Sequence, residues 1–431
     1  MPLTSVAEIE RKINKHLRRW LGVPPSFTAI GLYTKAGQMQ LPLSSVEEEY
    51  KVAKCRTVML YRDSHDQKVR DAGVTTRAGR RFKADSLVDQ AEGMLVLRDI
   101  IGITNIGRQG LGSTHFQQWG KANREERRSL VQEEVRKLEE EKRIAKATQM
   151  ATQGAWTKWN LPSKKISWAD LWNLEPYRIS FMLRSVYDTL PSPSNLYRWG
   201  LREDPACKLC GERGTMAHIL SSCKTALAQG RYRWRHDKVL TVLACSLEEA
   251  RKRKRQGSTR PGSTIDFVRE GERRTTTGRS REVGNILEKA KTWELRVDLG
   301  RKLQFPKVVQ TKLRPDAVLW AEAEKKIVLV ELTVPWEERC EEAYERKKNK
   351  YQELIDECRS KGWQAWLFPV EVGCRGFPAQ SVWKLFTAIG VKGKERKVAV
   401  RKLGEAAERS SCWLWSRREE SCWKPGGEDV Q

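Results

Sequence analysis

Hydrophobic side chains recur at helical spacing through the first part of the chain. The first stripe follows Ser5 and Glu8, which have the spacing of a capping box. The long stretch over 121–152 mixes Glu, Lys and Arg, which predicts a solvated helix in which neighbouring charges pair. The pattern predicts a mainly helical region over 1–195, with helices at 46–60, 121–152 and 167–185.

The pattern changes in the second half, where apolar residues run without helical spacing. Residues 313–320 and 326–334 (LRPDAVLW and KIVLVELTV) predict two strands joined by a polar loop at 322–325. A helix at 337–361 and a third strand at 362–372 follow. We therefore expect an α+β protein, in which a compact α/β unit with a mixed central sheet occupies 283–391.

Changes in composition divide the rest of the chain. A cysteine-containing module is predicted over 196–245, a basic Gly-, Ser-, Thr- and Arg-rich linker over 246–282, and a basic tail with several Trp over 392–431. Within the linker, 251–255 is wholly Lys and Arg. This run fits a nuclear-import signal, a polyanion-binding patch or an unspecific basic linker equally well.

Charge indicates the class of partner. The 431 residues carry a formal net charge of +26, which favours polyanions such as DNA and RNA. No apolar run approaches the roughly 20 residues that a membrane-spanning helix needs, and the first residues lack the apolar segment of a secretory signal. We expect no membrane partner.

Three of the ten cysteines cluster with a histidine. Cys207, Cys210, His218 and Cys223 give the spacing C-x2-C-x7-H-x4-C. Three thiolates and one imidazole in four-coordinate geometry select Zn²⁺, and a complete ligand set leaves no open position for catalysis. The sequence therefore predicts a structural zinc site, with glycines at 211 and 214 allowing its tight turns.

Two acidic residues interrupt the predicted strands. If 322–325 is a hairpin loop, Asp316 lies directly across from Glu331, and like charges so placed are destabilising unless a cation lies between them. Oxygen ligands suit Mg²⁺ or Mn²⁺. The alternative is an edge strand on which Glu331 is solvated.

One lysine breaks the apolar stripe of the helix at 337–361. Lys347 falls where the core face should be, and Lys350 lies beside it. A lysine directed inwards near two carboxylates can neutralise a phosphate and assist attack by water. The alternative is a lysine that extends past the stripe to solvent. Further on, Arg375 lies in a turn, where a structural role is favoured over phosphate contact.

These residues carry a resemblance to a known family. Arg314-Pro-Asp316, then Glu331, then the displaced Lys347 in a KxxKY run, resemble the PD-(D/E)xK nuclease fold as it occurs in site-specific non-LTR retrotransposons. That branch also carries a C-x2-C-x7-H-x4-C knuckle just upstream. The resemblance implies catalytic roles for Asp316, Glu331 and Lys347 or Lys350, with Mg²⁺ or Mn²⁺ bound by the two carboxylates.

The resemblance also implies a biological setting. The endonuclease of that family nicks target DNA in the nucleus, and the exposed 3′ end primes reverse transcription of the element's RNA. Residues 1–195 resemble the thumb and connector of the polymerase, but no polymerase motif (Tyr/Phe-x-Asp-Asp) occurs. We therefore expect a fragment or remnant whose polymerase portion lies upstream. A nuclease-dead nucleic-acid binder and an unrelated repair or restriction nuclease remain alternatives.

Overall fold

The computed structural model describes residues 1–72, 82–107, 110–114, 117–255, 285–301 and 303–424. These residues form two compact units. The first unit comprises 1–157 and 163–189, and the second comprises 158–162 and 190–431. Among the described helices, none is both long and apolar enough to cross a bilayer.

The first unit is built mainly from helices, as the apolar stripes predict. Its helical core joins α3, α5 and α7 through side chains such as Val52, Val88 and Val135. The helices are α1 (Leu3–Trp20), α2 (Ile30–Tyr33), α3 (Val46–Arg62), α4 (Gln67–Asp71), α5 (Ala84–Ile101), α6 (Gln118–Lys121), α7 (Arg124–Thr148), a 3₁₀ turn (Ala155–Lys158), α8 (Trp168–Asn173) and α9 (Pro176–Val186). Two short strand pairs join β1 (Met39–Gln40) to β4 (Lys164–Lys165) and β2 (Ile103–Gly107) to β3 (Gly110–Thr114).

Two details of the predicted helices are wrong. The capping box at Ser5 and Glu8 does not form, because α1 already begins at Leu3 with Pro2 at its N-cap. The single helix expected over 167–185 is two helices, α8 and α9. Pro176 explains the break, since a proline disfavours helical backbone at the residue before it and suits the first turn of a new helix.

A partly buried carboxylate on α7, that of Glu140, holds a loop of the first unit against that helix. Glu140 Oε1 accepts hydrogen bonds from the backbone N–H groups of Lys35 and Ala36, both at 2.9 Å, and from the Thr34 hydroxyl. Burial by itself raises the pKa of Glu140, but these hydrogen bonds and Arg143 outweigh it and hold the pKa below its ordinary value of 4.5. The ionised form is therefore the one that the fold stabilises.

We expect Glu140→Gln to lower the free energy of unfolding by about 1–2 kcal/mol at pH 7, because the charge-assisted hydrogen bonds weaken. A depressed folded pKa contributes stability above the ordinary pKa, and that contribution is lost as the pH falls through the folded pKa. The gap between the variant and the parent should therefore narrow as the pH falls below the ordinary pKa of 4.5. Urea unfolding at pH 7 and pH 3.5 measures both gaps. Glu141→Gln, at an exposed position on the same helix, should change neither.

The second unit contains a four-stranded mixed sheet surrounded by helices. Its strands are β5 (Glu294–Val297), β6 (Ala317–Ala321), β7 (Lys326–Thr333) and β8 (Gln364–Glu371). Its helices are α10 (Pro193–Arg198), a π-helix (His218–Ser222), α11 (Lys224–Ala228), α12 (Arg231–Arg255), 3₁₀ turns (Ile286–Lys289, Leu299–Arg301 and Glu337–Arg339), α13 (Cys340–Ser360), α14 (Gln380–Ala388) and α15 (Gly393–Ser416).

The sheet has the strand order β5-β6-β7-β8, with antiparallel pairs except for parallel β7 and β8. Two consecutive parallel strands need a long crossover connection, and helix α13 provides it between β7 and β8. In the β6–β7 hairpin Ala317 pairs with Val330 and Ala321 with Lys326. This is the register predicted from the sequence, and it confirms the loop at 322–325.

Side chains alternate between the two faces of the sheet. On one face, Val318, Leu329 and Ala365 pack against Tyr351 and the other apolar residues of α13. On the opposite face, the remaining strand positions pack against α12, α14 and α15. By this alternation, the candidate carboxylates Asp316 and Glu331 lie on the face of the sheet that α13 covers.

Two boundaries differ from those predicted. Helix α12 continues to Arg255, so the first ten residues of the expected linker (246–255) are helical; 256–282 lies outside the described residues. The region from 392, expected as a basic tail, forms α15, whose Leu403 and Ala407 lie in the same core as the sheet. In both places a high content of charged residues predicts a solvated segment, although Lys, Arg and Glu also form helices readily.

Candidate metal sites

The cysteine–histidine cluster assembles in the second unit. One ligand atom from each of Cys207, Cys210, His218 and Cys223 lies within 4.8 Å of every other, and Cys210 Sγ is 3.1 Å from His218 Nε2. Three thiols and one imidazole at this separation match a tetrahedral zinc site with a complete ligand set. The donor chemistry therefore fits Zn²⁺.

Local backbone geometry presents the two pairs of ligands. The Gly211 N–H donates to the Cys207 carbonyl at 2.9 Å, which closes the turn that holds Cys207 and Cys210 side by side. Gly211 has a φ of +75°, a conformation that favours glycine. Gly214 has a different role from the one predicted. A Cβ there would lie 2.8 Å from Pro193 Cγ, so close packing and not a turn requires glycine.

The histidine is held in a form that can bind a metal. Burial lowers the pKa of His218, which favours the neutral imidazole that acts as a ligand. Its Nδ1 faces Glu212 Oε2 at 3.7 Å, and Lys224 pairs with the same carboxylate at 2.8 Å. Nε2 is thus directed at Cys210. A carboxylate behind the free nitrogen is the usual way to orient a ligating histidine.

The first turn of α12 holds the backbone of this cluster. The Tyr232 hydroxyl accepts a hydrogen bond from the Cys223 N–H at 3.0 Å and approaches the carbonyls of His218 and Ile219 at 3.1 and 2.9 Å. Arg235, almost fully buried, donates to the Leu220 carbonyl at 2.8 Å. The same guanidinium donates to the Val334 carbonyl just beyond β7 at 3.2 Å.

The next residue of α12 contacts the second candidate site. His236 Nε2 lies 3.3 Å from Asp316 Oδ2, and its Nδ1 lies 3.0 Å from Asp237 Oδ1. Burial lowers the pKa of His236, but the two carboxylates outweigh burial and raise it to about 9. An imidazolium that donates from both nitrogens is the consistent form. Within five residues, α12 therefore contacts both candidate sites.

Asp316 and Glu331 meet at the end of the β6–β7 hairpin. Extending the observed register by one pair places them opposite one another. The Asp316 N–H donates to Glu331 Oε2 at 3.1 Å, and the Leu332 N–H donates to Asp316 Oδ2 at 2.8 Å. Their exposed fractions are 6% and 3%. Strand β7 lies between β6 and β8, so the alternative of a solvated glutamate on an edge strand is wrong.

The two lysines of α13 occupy different positions. Lys347 Nζ forms an ion pair with Glu331 Oε1, so Lys347 points inwards and not along the helix to solvent. Lys350 Nζ instead lies 3.2 Å from the hydroxyl of Tyr351, which donates to the Arg314 carbonyl at 3.0 Å. Of the two lysines predicted for the site, only Lys347 makes a direct contact with a carboxylate among the described contacts.

The electrostatics of Glu331 favour a bound cation. Burial and the neighbouring Asp316 raise its pKa, while Lys347 and Lys350 lower it, and the net direction is upward. Two carboxylates that face each other in a buried place are stabilised by a shared cation, and their oxygens suit Mg²⁺ or Mn²⁺. The residues present therefore fit a hard divalent ion.

The turn arginine has the structural role that the sequence favoured. Arg375 is 2% exposed and pairs with the fully buried Glu337 at 2.5 Å. Its guanidinium stacks on Trp336 and Trp159, at 3.6 and 4.0 Å from the ring centres. A guanidinium enclosed in this way has no free face for a phosphate.

Two residues near the carboxylates were not predicted. His236 is partly buried and lies in the basic and aromatic stretch RYRWRH, within the predicted cysteine-containing module. Glu371 lies at the end of β8 and is 1% exposed. A glutamate that follows the apolar run of a predicted strand is the sequence signal that could have identified it. Burial raises the pKa of Glu371 to about 7.

Comparison with known proteins supports the zinc assignment. Residues 151–229 match a family described as zinc-binding in reverse transcriptase, and the match includes all four residues of the cluster. The matched segment covers less than half of the chain, and it supports a retrotransposon-type polyprotein fragment with a zinc-binding region. No curated protein matches the chain.

Proposed function

We propose that this chain is a metal-dependent DNA endonuclease of a retrotransposon, which nicks target DNA to expose a 3′ end for reverse transcription. One observation carries the proposal: two buried carboxylates, Asp316 and Glu331, face each other across a hairpin, with Lys347 paired to one of them. The pKa of Glu331 stays raised even with Lys347 paired to it, so a further cation would stabilise the two carboxylates. The zinc-binding match supports the retrotransposon setting.

The fold that we propose for this part is the PD-(D/E)xK nuclease fold. The mixed order β5-β6-β7-β8, with α13 crossing between β7 and β8, is compatible with it. The lysine of that motif is replaced by Thr333, two residues after Glu331. Lys347 on α13 supplies an ammonium group to the same carboxylate from the neighbouring helix, which supports its assignment as the displaced lysine.

The reaction is hydrolysis of one phosphodiester bond. A water oxygen bonds to phosphorus, the bond from phosphorus to the 3′ oxygen breaks, and that oxygen takes a proton, which leaves a 3′ hydroxyl and a 5′ phosphate. Asp316 and Glu331 would hold a divalent ion, which when bound would supply water activation and neutralise developing charge. Lys347 would stabilise the negative phosphate beside them.

The partners follow from this activity. The net charge of +26 favours target DNA and element RNA as ligands. A nick in genomic DNA requires action in the nucleus, and priming requires a polymerase, which we place upstream in the same polyprotein. The second candidate function is a nuclease-dead nucleic-acid binder, which the same charge and the zinc module also support. It predicts salt-sensitive binding without cleavage.

A plasmid-nicking assay tests the proposal. We expect the zinc-loaded chain to convert supercoiled plasmid to open circles with Mg²⁺ or Mn²⁺ and to leave it intact when the divalent ion is omitted. Omission, and not a chelator, keeps the zinc site filled. Binding without cleavage in either ion would favour the binder, and equal cleavage without a divalent ion would refute the metal-dependent mechanism.

A further inference from the structure

Glu371 lies on the same face of the sheet as the two candidate metal ligands. It pairs in register with Thr333 across the parallel strands β7 and β8, and Thr333 follows Glu331 by two positions. Because side chains alternate along a strand, Glu331, Thr333 and Glu371 all project toward α13. Strand β8 therefore adds a third carboxylate to the side of the sheet that holds Asp316 and Glu331.

Only one of the two Glu371 oxygens has a donor. The Ser381 hydroxyl donates to Oε2 at 2.6 Å, whereas Oε1 is buried and has no hydrogen-bond partner among the described residues. The Oγ1 of Thr333 is in the same condition. Native proteins pair nearly all such buried polar atoms, so two of them side by side need an explanation.

The lysine of the site links Glu371 to the other two carboxylates. The Lys347 ammonium is paired with Glu331, and its charge also acts against burial to lower the pKa of Glu371. Together with the shared face of the sheet, this makes Glu371 part of the same charged region as Asp316 and Glu331.

We propose that Glu371 is a further ligand for the divalent cation, with Oε1 as the donor atom and the Thr333 hydroxyl beside it. This inference rests on the proposed function, since it assigns another residue to the same site. It also accounts for the buried Oε1, which keeps its acceptor capacity while Ser381 fixes the other oxygen. Oxygen donors from three strands suit the high coordination number of Mg²⁺ or Mn²⁺.

Binding of Mn²⁺ alone to the zinc-loaded full chain tests this role without reference to cleavage. The loss of the free-ion signal in electron paramagnetic resonance gives the dissociation constant. We expect Glu371→Gln to raise this dissociation constant at least about 10-fold. Removing a residue that only supports a metal ligand weakens metal binding by roughly 10–100-fold, and removing a ligand itself should weaken it no less. Glutamine has the same shape, can still accept from Ser381, and removes a buried charge, so the variant should fold.

Two more variants separate ligation from packing. Ser381→Ala removes an outer hydrogen bond but keeps the carboxylate, so it should weaken Mn²⁺ binding clearly less than Glu371→Gln does. Glu371→Asp retracts the carboxylate and should weaken binding even if Glu371→Gln does not fold. If Ser381→Ala loses as much affinity as Glu371→Gln, Glu371 acts through packing and the inference is wrong.

The failure of this inference differs from failure of the nuclease proposal. If the parent binds Mn²⁺ and Asp316→Asn abolishes binding while Glu371→Gln and Glu371→Asp leave it unchanged, only the role of Glu371 is refuted. If the folded, zinc-loaded parent binds no Mn²⁺ at all, the metal site itself and the proposed function are both refuted.

Discussion

Replacing Cys223 with serine should abolish stoichiometric zinc binding and unfold the module around 205–229. Cys223 is 1% exposed and closes the ligand set. Structural zinc contributes roughly 10–16 kcal/mol in small zinc-binding modules, because the folded site hardly exists without the metal. The hydrophobic cluster here is small, joining Cys207, Cys223 and Ala226 with few other residues, so it cannot replace that contribution.

The damage should extend beyond the zinc module. Tyr232 and Arg235 of α12 bind the backbone of the module, and Arg235 also binds the Val334 carbonyl beyond β7. Loss of the module would leave a nearly fully buried guanidinium without one of its acceptors, which is costly. His236, the next residue, contacts Asp316. We therefore expect weaker Mn²⁺ binding at the carboxylates as well.

Metal content and thermal unfolding measure these effects. The variant should contain much less than one zinc per chain and should melt at a lower temperature or lose its cooperative transition. Cys245→Ser is the matched control, because Cys245 is exposed on α12 and outside the cluster. Retention of a full equivalent of zinc by Cys223→Ser, with an unchanged melting curve, would show that the four residues do not form the site.

The sequence predicted features that depend on neighbours in the chain. The spacing of Cys207, Cys210, His218 and Cys223 was sufficient because a metal imposes its geometry on short loops. The register of Asp316 and Glu331 followed from a polar four-residue loop between two apolar strands, since loop length fixes pairing. Both predictions needed only the local pattern of residues.

Features that depend on packing could not be predicted in this way. His236 reaches Asp316 from a helix 80 residues earlier in the chain, and no local pattern encodes that contact. The sequence predicts a linker from residue 246, because the Lys- and Arg-rich stretch there has few apolar residues, but α12 continues to Arg255. Its last turns are held by packing of Leu247 and Ala250 and by pairs such as Glu248 with Arg251.

Asp316→Asn and Lys347→Met should each lower the rate of Mg²⁺-dependent nicking by about 10²–10³-fold or more. This is the rate loss that follows removal of one preorganised electrostatic group at a reacting centre. Asparagine keeps the shape of Asp316 but removes the charge that binds the cation. Methionine keeps most of the Lys347 stem, so the loss reports on the ammonium group that is paired with Glu331. Initial rates of open-circle formation at saturating Mg²⁺ measure both effects.

The matched control is Lys348→Met, because Lys348 lies next to Lys347 on α13 but is exposed and pairs only with Glu345 among the described contacts. An exposed pair is worth about 0.2–1 kcal/mol, so the control should keep its rate within about fivefold. Lys350→Met then discriminates between the two candidate lysines. A larger rate loss for Lys350→Met than for Lys347→Met would assign the phosphate-stabilising role to Lys350.

Equal nicking by the parent, Asp316→Asn and Lys347→Met would mean that cleavage does not occur at this cluster. A mechanism that uses these carboxylates and this lysine must slow down when their charges are removed.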